Sequence, residues 1–329
     1  MQPIFVFAQK TVSYKSEYLA VRELEELCDS VDVYGFGQEA YWENGRLTVF
    51  DDDDNEREIA IPEVWIKCDI LSAEIIEKIL QLPHLRSLNL QFSSAEDVPF
   101  PFEQLKMLEK VEISMMDNEA KTLPTSWGKS LCLSKNVRTL SIYGCSKLIP
   151  EVGKMTQLYS LRIDADDESD ILSHILPLKN SLHELILSSS SEPSVGEVLK
   201  RFSKIQSLIL TSLDSSSDLD LFLMDIKNLP LRCLWIPYGK IGKDGLSVLQ
   251  KWKTLEEVIL PCDLSQKYSQ SLENVRISVA LMQKDGSKQT QSVQKFFPYT
   301  KMEEISRDER LDAEGNYIHW ADVRSDLWL

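Results

Sequence analysis

The pattern apolar-x-x-apolar-x-apolar recurs at Ile61/Val64/Ile66, Leu85/Leu88/Leu90, Leu108/Val111/Ile113, Val137/Leu140/Ile142, Leu158/Leu161/Ile163, Leu182/Leu185/Leu187, Ile205/Leu208/Leu210, Leu231/Leu234/Ile236 and Leu255/Val258/Leu260. Start-to-start spacings are 24, 23, 29, 21, 24, 23, 26 and 24 residues, a period that random apolar placement would not sustain. The last two positions of each match alternate as on one face of a strand, and the first anchors the chain entering it. Each repeat therefore predicts one short strand and a return path. A strand with one apolar face is unstable alone, but a parallel ladder of such strands joins the faces into a continuous core.

The return paths carry their own signals. Apolar residues at helical spacing predict short helices over 72–80, 195–202 and 245–252, whereas proline in 98–102 and 148–152 predicts extended or 3₁₀ segments. A solenoid also needs ends of atypical sequence to cover its open edges. At the N-terminus the pattern predicts a helix over 17–27, then strands over 31–36 and 47–50 around the Asn44-Gly45 turn. Towards the C-terminus a tenth match, Leu272/Val275/Ile277, follows after only 17 residues and is expected to be a closing strand. Strands are expected over 275–282 and 292–297, separated by Asp285-Gly286. The last stretch holds Phe296, Phe297, Tyr299, Tyr317, Trp320 and Trp328, too aromatic for a free tail. The expected organisation is an acidic α/β cap at 1–60, a solenoid at 61–263 and a C-terminal cap at 264–329.

The segment LSIYGCSKLIPEVGKMTQLYSLRI, ending at Ile163, resembles the leucine-rich-repeat consensus, and IGKDGLSVLQKWKTLEEVIL, from Ile241 to Leu260, is similar to a helix-containing variant of the same family. The resemblance covers 61 to about 263, roughly three fifths of the chain. It implies an α/β leucine-rich-repeat solenoid, with a curved parallel sheet inside and short helices and extended segments on the convex side. Family repeats often place Asn or Cys just after the strand. Cys145 occupies that place, Asp69, Ser93, Asp166, Ser190 and Asp263 stand there elsewhere, and Met116, Leu213 and Gly239 depart from it.

Composition narrows the function. With 52 acidic and 36 basic residues among 329, the net charge is -16, which repels a phosphate backbone and makes nucleic acid an unexpected partner. Residues 1–60 alone hold 14 acidic and 5 basic side chains. No apolar run approaches the roughly 18 residues of a membrane span, and Met1–Ala8 lacks the basic flank of a secretory signal. The expectation is a cytoplasmic protein away from membranes, its six scattered cysteines reduced and mostly buried.

Catalytic and metal chemistry find little support. The acidic run Asp51–Asp54 suggests a calcium loop, but Glu56 stands where glycine is needed and Pro62 where the bidentate acid belongs. Asp164, Asp166 and Glu168 fail likewise at Ser169 and Ile175. His84, His174, His183 and His319 share no metal-ligand spacing, and there is no phosphate loop or nucleophile elbow. The chain reads as non-enzymatic and without a cofactor.

The residue between the last two apolar positions of each repeat points away from the core, to the concave side. That column reads Trp65, Asn89, Glu112, Ser141, Arg162, Ile186, Ile209, Trp235 and Ile259, with Tyr143, Pro237 and Tyr238 in adjacent columns. Apolar and aromatic residues where solvent would favour polar ones either mark an interaction site, anchored at Trp65, Tyr143, Arg162, Ile186, Ile209, Trp235, Tyr238 and Ile259, or lie beneath the aromatic C-terminal segment as core. The function that follows is recognition of another protein on the concave face, as a sensor, adaptor or inhibitor. An alternative is the substrate-recognition arm of a larger assembly such as a ubiquitin ligase receptor, although residues 1–60 show no F-box-type helical motif.

Overall fold

A computed structural model of the chain describes residues 14–35, 40–50, 56–116, 123–164, 171–187, 195–210, 219–236, 240–255, 257–260 and 278–281. They divide into two compact units, 1–157 and 158–329.

The first unit begins with helix α1 (Lys15–Leu27), which buries Tyr18, Ala20, Val21 and Leu24. Strand β1 (Ser30–Tyr34) follows, then a hairpin sheet of β2 (Tyr41–Glu43), β3 (Arg46–Phe50) and β4 (Glu56–Glu58). The expected Asn44-Gly45 turn joins β2 to β3, with positive φ of 52° and 71° at its two residues, as a two-residue hairpin loop requires. Glu17 is buried in α1 and ties the helix to the first repeat, accepting the Ile61 backbone N–H at 3.1 Å and meeting His84 Nδ1 at 2.7 Å. The Tyr18 hydroxyl donates to the Ile59 carbonyl at 2.7 Å.

The repeats of this unit supply β5 (Glu63–Leu71), β6 (Ser87–Ala95), β7 (Lys110–Met115) and β8 (Thr139–Tyr143), side by side and parallel. Val64, Leu88, Val111 and Leu140 stand in one register row, and Ile66, Leu90, Ile113 and Ile142 in the next. All eight are buried, so the two alternating apolar positions are the core rows the sequence implies. A recurring bond sets the register: Pro62 O accepts from Arg86 N and Ser87 N, Arg86 O from Glu109 N and Lys110 N, and Glu109 O from Arg138 N and Thr139 N. Strand β1 pairs antiparallel with β5, as Ser30↔Lys67 to Tyr34↔Glu63, covering an edge that would otherwise expose unpaired backbone.

Behind this sheet lie α2 (Ala73–Ile79), capped by Ser72 Oγ accepting from Ile75 N at 3.3 Å, a 3₁₀ turn at Phe102–Gln104, α3 (Thr125–Leu133), a 3₁₀ turn at Ser146–Leu148 and α4 (Ile149–Val152). Helix α3 lies in the longest repeat and went unpredicted. It brings Trp127 edge-on to Phe92, Phe100 and Phe102, with Nε1 donating to Val98 O at 2.8 Å. Buried Cys145 holds its expected post-strand place and bonds the Met115 backbone in the preceding turn.

In the second unit, β9 (Ser160–Asp164), β10 (Glu184–Leu187), β11 (Ser207–Leu210), β12 (Cys233–Trp235), β13 (Glu257–Leu260) and β14 (Ser278–Leu281) form a parallel ladder in chain order. The same two-bond carbonyl recurs at Tyr159, His183 and Gln206. Return segments carry α5 (Ile171–Ile175), a 3₁₀ turn at Leu176–Asn180, α6 (Val195–Leu199), α7 (Leu219–Ile226) and α8 (Lys243–Lys251). Helices α6 and α8 fall where the periodicity places them.

The tenth strand corrects one expectation. Val279, not Val275, stands beside Val258, so the frame runs four residues later than Leu272/Val275/Ile277. The interval from Val258 to Val279 is then 21 residues, as long as the shortest earlier repeat. Residues 272, 275 and 277 lie outside the described ones, as do the acidic run 51–54, Asp166, Glu168, the strand expected over 292–297 and the aromatic residues from Phe296 onward. One parallel strand per repeat, two buried rows and a return segment behind each strand make this a leucine-rich-repeat fold.

Candidate functional site

The column read from the sequence is a structural row in both units. In the first, Asp32, Trp65, Asn89, Glu112 and Ser141 are successive register partners across β1, β5, β6, β7 and β8. In the second, Arg162, Ile186, Ile209, Trp235 and Ile259 follow one another across β9 to β13. Tyr143 ends the neighbouring row Lys67, Gln91, Ser114, Tyr143 of the first unit and is half-buried. Tyr238 and Pro237 lie outside the described residues, and of Ile259 the strand position alone is described.

The rows differ in exposure. Trp65 is 42% and Tyr34 40% exposed, while Asn89 and Glu112 are half-buried and Ser141 is buried. Arg162, Ile186, Ile209 and Trp235 are 7%, 5%, 3% and 5% exposed. These four side chains are buried: β9 to β12 are buried on both faces, a state that produces continuous apolar runs such as Leu185-Ile186-Leu187 instead of alternation. Trp235 Nε1 is buried there without an acceptor among the described residues.

In the first unit, strand alternation puts Val64, Ile66 and Cys68 into the core and turns Glu63, Trp65 and Lys67 outward. Antiparallel pairing sets Asp32 opposite Trp65 and Tyr34 opposite Glu63, so the two rings meet on the diagonal. Their centroids are 4.9 Å apart with planes tilted by 53°, a distance typical of favourable aromatic pairs. Trp65 Nε1 donates to Glu63 Oε1 at 3.0 Å, and Ser87 Oγ donates to the same oxygen at 3.0 Å. Burial, then the charges of Asp32 and Glu63, push the Tyr34 phenol above its usual range. The arrangement is an aromatic pair with its indole fixed by a carboxylate, exposed on a sheet whose other face is packed.

Trp65 was visible in the sequence. Tyr34 and Asp32 were not, because β1 lies outside the repeat and periodicity does not name its pairing partner; Glu63 lies on β5 but outside the column that the repeat singles out. Among the described residues no group of three or more His, Cys, Asp or Glu could hold a metal ion. No helix among them is long and apolar enough to cross a membrane.

No family model matches the chain, and no curated protein does. Among solved structures it is similar to internalin C2 of Listeria monocytogenes, at 19% identity over 61% of this chain and 80% of that one, with a TM-score of 0.42. It is also similar to an internalin F of the same organism, at 14% identity over 75% of this chain and 87% of that one, TM-score 0.41. A third similarity is to a leucine-rich-repeat protein of Leptospira interrogans, at 14% identity over 72% and 76%, TM-score 0.32. The fold itself, established by the strand register above, is that of leucine-rich-repeat proteins, an architecture whose sheet surfaces serve protein interaction in general.

Proposed function

We propose that the chain is a non-enzymatic recognition module that binds another protein through the outward sheet face of its first unit, with Trp65 and Tyr34 as anchors. The observation that carries this reading is the exposure of two touching aromatic rings, 42% and 40%, on a sheet whose opposite face is closed. Exposed aromatic area on rigid strands is the kind of surface that concentrates binding energy. The Glu63 bond and the Tyr34 contact already fix the Trp65 ring, so little side-chain freedom is lost when a partner covers it. The Asp32 and Glu63 carboxylates beside the rings favour a partner that presents lysine or arginine over the aromatic faces. Tyr143, on the same face, extends the surface.

The test is an affinity pull-down with the intact chain, read by mass spectrometry, followed by titration of the recovered protein against wild type, Trp65→Ser, Tyr34→Ser and the control Leu133→Ser on α3. Removing an anchor should weaken binding by about 2 kcal/mol or more, roughly thirtyfold, and the control should leave it unchanged. A specific partner that binds both aromatic variants like wild type would overturn the assignment.

A further inference from the structure

Helix α1 ends at Cys28, whose backbone N–H still bonds Leu24 O at 3.0 Å while its own φ and ψ, -118° and 159°, are already extended. The next residue, Asp29, donates its N–H to Lys67 O at 2.9 Å. Cys28 and Cys68 thus sit immediately beside a bonded pair that joins the helix end to β5, and their thiols share a hydrogen bond. Cys28 is half-buried, and Cys68 is 3% exposed beside the core rows. The environment divides the two thiols by acidity. The bond from Cys68 holds Cys28 below the ordinary thiol range against the opposing effect of burial. The same bond, then burial, then the nearby Asp29 and Asp69 charges push Cys68 far up.

We propose that Cys28 and Cys68 are a thiol-disulfide exchange site, in which accessible Cys28 reacts with a small-molecule disulfide and buried Cys68 resolves the adduct. The Cys28 thiolate attacks one sulfur of the disulfide RSSR, forming a mixed disulfide and displacing RS⁻, which takes up a proton. Cys68 then loses its proton to solvent, attacks Cys28 Sγ and displaces the second RS⁻. Two protein thiols lose two electrons and RSSR becomes two RSH. Forming the bond brings the two sulfurs to about 2.0 Å. The bond would link the end of α1 to β5 and restrain β1, which lies between them in sequence.

A disulfide-forming pair differs from two neighbouring core cysteines in its asymmetry. The native full-length chain is equilibrated in glutathione buffers graded from reducing to oxidising, then acid-quenched, alkylated and mapped by mass spectrometry. Wild type should lose two alkylatable thiols of its six, appear as one Cys28–Cys68 linked peptide, and return to the dithiol in reducing buffer. Cys68→Ser should trap glutathione on Cys28, whereas Cys28→Ser should leave Cys68 unmodified in the folded chain. Should a serine variant fail to fold, the wild-type linkage map alone decides. The inference is overturned if Cys28 and Cys68 stay free while the buffer is oxidising, or if glutathione accumulates on Cys68 in preference to Cys28.

Discussion

Replacing Ile209 by aspartate tests the two-faced burial of the second unit. In a leucine-rich repeat whose outward face meets solvent, this position tolerates a charge at a cost of about 0.5 kcal/mol. Here Ile209 is 3% exposed between Ile186 and Trp235, themselves 5% exposed each. Losing the buried isoleucine costs about 1.5 to 3 kcal/mol in transfer free energy. The carboxylate adds to this, because keeping it neutral at pH 7 against a normal value near 3.9 costs about 4 kcal/mol. Relaxation and water entry reduce the sum, leaving an expected loss of about 4 kcal/mol. Leu185→Ala, on the opposite, fully buried face of β10, should cost about 2 to 5 kcal/mol by lost burial and cavity formation. Asn89→Asp, the half-buried counterpart in the first unit, should cost less than about 1 kcal/mol. Urea unfolding of the full chain, followed by circular dichroism, ranks the three by midpoint. If Ile209→Asp unfolds within experimental error of wild type while Leu185→Ala is strongly shifted, the outward face of β11 is open and the reasoning fails.

Trp127→Ala removes the ring that contacts Phe92, Phe100 and Phe102 and leaves Val98 O without its indole donor; it should lower stability by about 3 to 5 kcal/mol in thermal or urea unfolding, with Trp127→Phe costing less. Burial and the neighbouring Glu58 charge push the Tyr18 phenol up to about 12, so its folded value exceeds its ordinary value near 10. Its contribution is therefore fully present below pH 10 and lost as the pH rises towards 12, and Tyr18→Phe should flatten the stability curve across that window.

The periodic part of the fold was legible for a physical reason. Within each unit every repeat must fill the same two core rows, as Val64/Ile66 and its partners do, so every repeat states the register again, and the outward rows Trp65 to Ser141 and Arg162 to Ile259 follow by alternation. Elements stated once were harder. Helix α3 and Trp127 belong to a single long repeat, and β1 pairs in the opposite direction to every repeat strand. The sequence frame falls four residues early because Leu272/Val275/Ile277 fills all three apolar positions, whereas the true frame around Val279 and Leu281 opens on Arg276. Exposure of the outward row was least legible. Alternation tells which side of the sheet a residue takes, but whether that side meets water depends on a further layer that a strand sequence does not specify.

This distinction separates Trp65 from Trp235, which occupy the same place in their repeats. Outward apolar residues in consecutive strands, such as Ile186, Ile209 and Trp235, resemble a binding patch in sequence, but the same succession arises wherever both faces of a parallel sheet are covered. Trp65 has polar or charged register neighbours, Asp32 and Asn89, and its sole aromatic companion, among the described residues, is the exposed Tyr34. A continuous apolar row is therefore the weaker indicator of a partner site in a repeat sheet. An isolated aromatic among polar neighbours is the stronger one, because no core demand accounts for its hydrophobicity. On that criterion the proposed recognition surface is the face of β1 and β5 that carries Tyr34 and Trp65.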